Sequence, residues 1–245
     1  MVINAIVRKG VGKSECEDTA LINDKIVNDL ACCCTDGLIR CICIADGVGG
    51  VSGGKDASMF IMNKINEHIF AELSVDVLKG YFEQLNQQLL DYGMKTGKQN
   101  MATTFTALFF DEQKVYLVHV GNTRLYAVRG SYLKQITTDH TTYQWFVGTG
   151  QYEAAENCNK SEIIGCMGGG TSKMSERLEV SEMSIGDLPA IMLMTSDGIH
   201  EYVDLDSMEN IIADSEDDIG IVSEMIKIAE KNGSMDDKTA VIIRR

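Results

Sequence analysis

Residues 101–137 read MATTFTALFFDEQKVYLVHVGNTRLYAVRGSYLKQIT, and their pattern decides the fold class. Four runs rich in β-branched, aromatic and aliphatic residues are separated by DEQ, NT and GS. Connections this short join antiparallel neighbours, so the stretch predicts a meander of antiparallel hairpins. Parallel strands need a crossover of a dozen residues or more, and none fits between these runs. Upstream, a strand is expected over Val2–Arg8 and two more within ACCCTDGLIRCICIAD, residues 31–46. Two helices follow. One lies in residues 55–73, where Ala57, Phe60, Ile61, Ile65 and Ile69 recur at helical spacing. The other covers residues 76–94, with Val77, Leu78, Tyr81, Leu85 and Leu89 on one face. Downstream, RLEVSEMSIGDLPAIMLMTSDGIHEYV (residues 177–203) gives a further pair of strands. Helices are expected over residues 207–213 and 218–231, and TAVIIRR closes the chain as a strand. Residues 139–173 are glycine-rich and irregular and hold the single tryptophan, Trp145. Antiparallel runs with helices inserted between them belong to the α+β class. The expected architecture is a β-sandwich of two antiparallel sheets flanked by helices, as one domain over residues 1–245.

The chain has 245 residues, 44% of them hydrophobic, enough for one substantial core. Its formal charge of −14 comes with no basic block, which argues against a nucleic-acid partner. An anionic protein of this kind handles phosphates only with the help of cations. Five of the eight cysteines, Cys32, Cys33, Cys34, Cys41 and Cys43, crowd two neighbouring strand-like runs without the two-residue gaps of a zinc ribbon. Alternation along a strand sends successive residues to opposite faces, so they read as buried thiols in a reducing compartment. There is no charged leader ahead of an apolar run and no apolar stretch of membrane length. The expectation is a cytoplasmic protein with neither a membrane nor a nucleic-acid partner.

Asp-Gly occurs three times after a strand-like run, at Asp36, Asp46 and Asp197. Asp36 has strands on both sides and is expected to be a hairpin turn. Asp46, in RCICIADGVGG (residues 40–50), is followed by glycines and then a helix, which a hairpin does not explain. Asp197, in IMLMTSDG (residues 191–198), resembles Asp46. Glu17 and Asp18 near the start and Asp236 and Asp237 near the end add acidic residues that a folded sheet could bring to one edge. One Asp-Gly alone is more often a turn than a ligand. Several converging carboxylates, however, cannot all stay ionised without cations, and oxygen ligands suit magnesium or manganese. A rival reading is the G-x-x-x-x-G-K pattern of residues 49–55, GGVSGGK, a phosphate-loop signature. It is disfavoured because Asp56 stands where a magnesium-binding hydroxyl belongs, and because such loops serve parallel sheets. Lys55 then reads as an exposed first-turn residue. The four histidines, His68, His119, His140 and His200, read as structural or solvated, with a supporting role beside the site open for His140 and His200.

KSECEDTAL (13–21), IADGVGG (44–50), ATTFTALFF (102–110), VHVGNTRLYAVRGSYLKQITTDHT (118–141), MTSDGIHE (194–201) and GSMDDKTAVII (233–243) span nearly the whole chain. In this order they resemble the metal-dependent type 2C serine/threonine protein phosphatases of the compact bacterial kind. The resemblance implies two Mn2+ or Mg2+ ions. Asp46 would bridge them, the Gly47 carbonyl would bind one, and Asp197 and Asp236 would bind the other. Glu17 and Asp18 match an acidic pair that holds water on the ions. Asp237 stands where an Asn is usual, which leaves Asp236 as the ligand. Lys13 matches a phosphate-binding Arg, but it supplies a point charge rather than a fork. Val48 replaces a histidine found in animal members. Asn122 replaces an Asp that helps bind a third ion; a neutral amide is the weaker ligand, which weighs against that third ion. Residues 139–173 match a variable flap expected to influence substrate choice. The implied reaction is hydrolysis of phosphoserine and phosphothreonine by a metal-activated water, on proteins phosphorylated by a bacterial kinase, by a monomer. The alternatives are a catalytically weak or inactive member serving as a binding or sensor module, and a hydrolase of a small phosphoester.

Overall fold

The computed structural model describes residues 1–34, 38–48, 53–215 and 217–245. One six-stranded sheet contains β1 (Val2–Arg8), β4 (Ala31–Cys34), β9 (Arg124–Arg129), β10 (Tyr132–Gln135), β13 (Ile191–Thr195) and β14 (Lys238–Arg244), in the order β10-β9-β13-β14-β1-β4. The other contains β2 (Thr19–Ile22), β3 (Lys25–Val27), β5 (Cys41–Ala45), β7 (Phe105–Phe110), β8 (Lys114–Val120) and β12 (Glu179–Ser184), in the order β12-β8-β7-β5-β2-β3. A short ribbon pairs β6 (Ala102–Thr103) with β11 (Met167–Gly168). Helices α1 (Gly54–Glu67) and α2 (Val75–Thr96) cover the second sheet. The two short helices α3 (Thr142–Gly148) and α4 (Tyr152–Asn157) follow, and α5 (Asp197–His200) is a single turn. Helices α6 (Leu205–Asp214) and α7 (Asp218–Lys231) cover the first sheet. The α+β sandwich of two antiparallel sheets with outer helices is therefore the fold.

Strand alternation builds the four layers. Ile42 and Ile44 of β5 face the core between the sheets, with Ile3, Val7, Val241 and Ile243 opposite. Their neighbours Cys41, Cys43 and Ala45 point the other way, against Ile61 and Met62 of α1 and Phe82 and Leu85 of α2. On the first sheet, Tyr126, Leu193 and Ile242 turn outward to meet Met208, Val222 and Met225. Each fully buried aliphatic of this kind contributes about 1.5–3 kcal/mol. The Cys41 thiol donates to the Asn23 carbonyl at 3.5 Å, and Cys41 and Cys43 pack in the helix-facing layer as small apolar side chains.

Four expectations need correcting. The meander is two hairpins and not one ribbon: β7 pairs with β8 and β9 with β10, but β8 and β9 lie in different sheets. The chain crosses between them through Gly121, Asn122 and Thr123, with Gly121 at a φ of 112°. β4 and β5 likewise sit in opposite sheets, so they form no hairpin; the turn expected at Asp36 lies outside the described residues. The strands β12 and β13 are also divided between the sheets. Packed sheets are about 10 Å apart, a gap that three extended residues span, so loop length alone cannot separate a hairpin from a crossing. Finally, Ile69 is not on the first helix. That helix ends at Glu67 with His68 extended, and Ile69 is 82% exposed. The second helix is capped by the Ser74 hydroxyl and stopped by Gly97 at a φ of 72°. Among the described residues no helix is long and apolar enough to cross a membrane.

His119 gives the fold a pH dependence. Its ring is 1% exposed, with Nδ1 at 2.9 Å from the Thr106 hydroxyl and Nε2 at 3.0 Å from the Thr138 carbonyl. Burial, followed by the neighbouring His140, lowers its pKa from 6.5 to about 4. The unfolded chain therefore takes up this proton first. The contribution is complete above pH 6.5, falls as pH drops through 6.5, and levels off below pH 4. The expected loss is about 3 kcal/mol across that window. Denaturant titrations of the wild type and His119→Gln at pH 7, 5.5 and 4 check this: the gap between the two should close as the pH falls.

Candidate metal centre

Asp46 leaves the end of β5 with its backbone held on both sides. Its N–H donates to the Thr104 hydroxyl at 3.1 Å, and its carbonyl accepts from the Thr104 N–H and the Thr103 hydroxyl, each at 2.9 Å. Asp197 opens α5 directly after β13 in the opposite sheet. The two carboxylates stand close enough to act on one another's titration. Carboxylates this close require a shared proton or a cation between them. Burial, then the charges of Asp18, Asp197 and Asp236, push Asp46 well above the usual carboxylate range. Burial and Asp236 push Asp197 up as well.

Asp18 lies beneath them and is fully buried. Its Oδ2 accepts from the hydroxyls of Ser196 and Thr239, both at 2.7 Å, while its Oδ1 has no partner. Burial raises its pKa to about 7. An all-oxygen donor set, a close carboxylate pair and an orphaned buried oxygen fit a hard divalent ion.

The glycines after the two aspartates are required by close packing. A Cβ on Gly47 would lie 2.5 Å from the backbone of Gly54 and 2.9 Å from the Glu17 Cβ. On Gly198 it would lie 1.9 Å from the Asp237 carbonyl oxygen. These contacts draw the ends of β5 and β13 onto the loops that carry Glu17 and Asp237. The Gly47 N–H donates to the Glu17 carbonyl at 3.3 Å, and the Ser58 hydroxyl donates to that same carbonyl at 2.6 Å.

Asp237 is the tie between the two chain ends. Its Oδ1 accepts from the Gly10 N–H at 2.7 Å, and its Oδ2 from the Glu17 N–H at 2.8 Å and the Lys13 ammonium at 3.0 Å. Asp236 next to it is exposed. Its Oδ1 holds Lys13 at 2.5 Å, and its carbonyl accepts from the fully buried Lys238 at 2.6 Å. Lys13 also stands 3.5 Å from Glu17. Burial works against the Lys13 charge, but hydrogen bonds to Asp236 and Asp237 outweigh it and raise its pKa beyond the ordinary lysine range. Burial raises Glu17, and Lys13 opposes that rise. The expected convergence is thus present. Among the described residues, however, no three acidic, His or Cys side chains are drawn into a ready metal cage; Asp236 is turned to Lys13.

No protein-family model matches the chain. Curated sequences do. The serine/threonine protein phosphatase PstP of Mycobacterium tuberculosis is 29% identical over 218 residues, covering 83% of this chain and 40% of that protein. The protein phosphatase PhpP of Streptococcus pneumoniae is 24% identical over 212 residues, covering 82% of this chain and 84% of PhpP. A further curated relative, 26% identical over 213 residues and covering 84% of this chain and 85% of its own length, is a putative 2C-type protein phosphatase of Streptococcus pyogenes. Solved structures share its fold. The serine/threonine phosphatase Stp1 of Staphylococcus aureus aligns with a TM-score of 0.82 at 21% identity, covering 99% of this chain and 94% of the other. The catalytic domain of PstP, described in complex with two manganese ions, aligns with a TM-score of 0.74 at 21% identity over 99% and 98% of the two chains.

Within this type 2C fold, Asn122 sits in the crossing between β8 and β9 and donates its amide to Asp197 Oδ2 at 3.1 Å. Its own Oδ1 is buried without a partner. The Val48 N–H donates to the Ala102 carbonyl at 3.0 Å. Lys55 pairs with Glu15 at 3.4 Å and is half-exposed, and Asp56 pairs with Lys98; residues 49–52 of the rival loop lie outside the described residues. Sequence reasoning missed Thr103, Thr104, Ser196, Thr239 and Lys238. The signal available was a hydroxyl residue near two of the acidic motifs, Ser196 before Asp197 and Thr239 two residues after Asp237; Thr103 and Thr104 stand in a stretch with no acidic residue and gave none.

Proposed function

We propose that the chain is a divalent-metal-dependent protein phosphatase acting on phosphoserine and phosphothreonine. The observation that carries this reading is the convergence of the Asp46, Asp197 and Asp18 carboxylates, the last of them fully buried with an unpartnered oxygen. The names of its relatives, serine/threonine protein phosphatases, and the two manganese ions described for the PstP catalytic domain support it. Asp46 would bridge two manganese or magnesium ions, with the Gly47 carbonyl on one and Asp197 and Asp236 on the other. When bound, such ions lower the pKa of a water and stabilise charge on the phosphoryl oxygens. The protein's part is positioning. The Thr103 and Thr104 contacts fix where Asp46 points, and the Ser196 and Thr239 hydroxyls fix Asp18. Glu17 and Asp18 orient water, and Lys13 meets the substrate phosphate as a point charge. The Asn122 amide, spent as a donor to Asp197, speaks against a third ion there.

Residues 139–173, with α3, α4 and the half-exposed Trp145, form the flap that selects among substrates. The substrates are phosphoproteins made by a serine/threonine kinase, and the enzyme works as a cytoplasmic monomer of one domain. The test is phosphate release from a phosphothreonine peptide with manganese and with excess chelator. Turnover with manganese and none with chelator is expected. A folded sample without turnover at any manganese concentration would overturn the proposal.

A further inference from the structure

We infer that Lys13 is the protein's own counter-cation at this centre, holding Asp236 away from the second divalent ion until that ion displaces it. The inference rests on the metal-centre reading above. Its ground is the set of contacts around one ammonium: Asp236 at 2.5 Å, Asp237 at 3.0 Å and Glu17 at 3.5 Å. A phosphate-binding cation of ordinary design would face the space where phosphate arrives. Lys13 instead engages the carboxylate assigned to the ion.

The two carboxylates that Lys13 touches most closely differ in what else holds them. Asp237 is buried and also accepts two backbone N–H groups, so it stays in place whatever Lys13 does. Asp236 is exposed; its Oδ1 accepts one backbone N–H, from Asp237 at 2.8 Å, and Lys13 is the neighbouring lysine that touches the carboxylate, while Lys238 holds the carbonyl. Asp236 can therefore exchange an ammonium for a divalent ion without unfolding the loop. Lys13 sits on a turn closed by its N–H to the Gly10 carbonyl at 3.3 Å, next to Gly12 at a φ of 81°. Its unbranched stem leaves it free to swing. A divalent ion brings twice the charge of the ammonium to the same oxygen and wins once its concentration suffices. The released Lys13 then has phosphate as its natural partner. Two consequences follow. The first ion, at the Asp46 and Asp197 pair, binds more tightly than the second. Phosphate and the second ion each strengthen the binding of the other, because phosphate captures the lysine that competes with the ion.

The experiment is a calorimetric manganese titration of the wild type and Lys13→Met, with bound manganese counted by electron paramagnetic resonance, with and without inorganic phosphate. In the wild type, two unequal sites are expected, and phosphate tightens the weaker one. In Lys13→Met the weaker site is expected to tighten by roughly tenfold, and the effect of phosphate on it to shrink to what phosphate gains from the ions directly. Equal isotherms in the two proteins would overturn the role of Lys13 while leaving the metal centre intact. Absence of manganese binding in both would overturn the metal centre itself and the inference with it. Should Lys13→Met fail to fold, Lys13→Gln is titrated in its place, and a second site no tighter than that of the wild type overturns the inference.

Discussion

Replacing Asp46 by Asn is expected to lower manganese-dependent phosphate release by roughly 10³-fold, since the ions' charge stabilisation is worth several kcal/mol. The same substitution should leave the metal-free protein at least as stable as the wild type. Asp46 faces Asp18, Asp197 and Asp236, and its pKa in the fold is raised above its unfolded value. A carboxylic acid shifted upward destabilises the fold at neutral pH; the missing stability returns as pH falls through the folded pKa and is complete below the unfolded one. Acidification from pH 7 to pH 5 should therefore favour metal-free wild type over Asp46→Asn, the two proteins sharing the loss that comes through His119. A phosphate-release assay paired with melting curves at pH 7 and pH 5 checks both parts. An Asn variant that keeps its activity would sink the bridging role; one that melts well below the wild type without metal would sink the electrostatic account.

The second large effect is on melting temperature. The fold holds a cluster of carboxylates whose pKa values are pushed up by burial and by one another. An ion that binds only the folded state stabilises it by about 2.7 kcal/mol at a hundredfold excess over its Kd. For a chain of this length that is a rise of roughly 5–10 °C for each ion. Melting in manganese and in chelator measures it directly. Melting points that agree within a degree would mean that the cluster takes no ion. Asp197→Asn and Asp46→Asn should each remove most of the rise, because they break the same pair.

The opening question of any Asp-Gly after a strand is whether it is a turn or a ligand. Asp46 and Asp197 were legible as a pair because each ends an apolar strand and leads into a helix, whereas a hairpin returns at once. Their glycines were legible as unusual, but the reason lay elsewhere in the chain. Gly47 is fixed by Gly54 and Glu17, and Gly198 by a carbonyl of Asp237. The choice of Asp236 over Asp237 as a ligand came from the resemblance alone; in the structure Asp237 is occupied by two backbone N–H groups and Lys13.

The sequence alone determined most of the strands, the four longer helices and the residues of the acidic cluster, since periodicity and local motifs depend on near neighbours; the short strands β2, β3, β6 and β11 and the short helices α3, α4 and α5 escaped it. Ile69 misled because the apolar rhythm continued past the point where the backbone turned at His68. Which sheet each strand joins was decided only by the tertiary structure. A three-residue link serves equally for a hairpin or for a crossing between packed sheets, and burial of the alternate face selects between them. The same holds for the charges. Whether Lys13 meets phosphate or Asp236 depends on distances across 223 positions of chain, and only folding brings those two residues together.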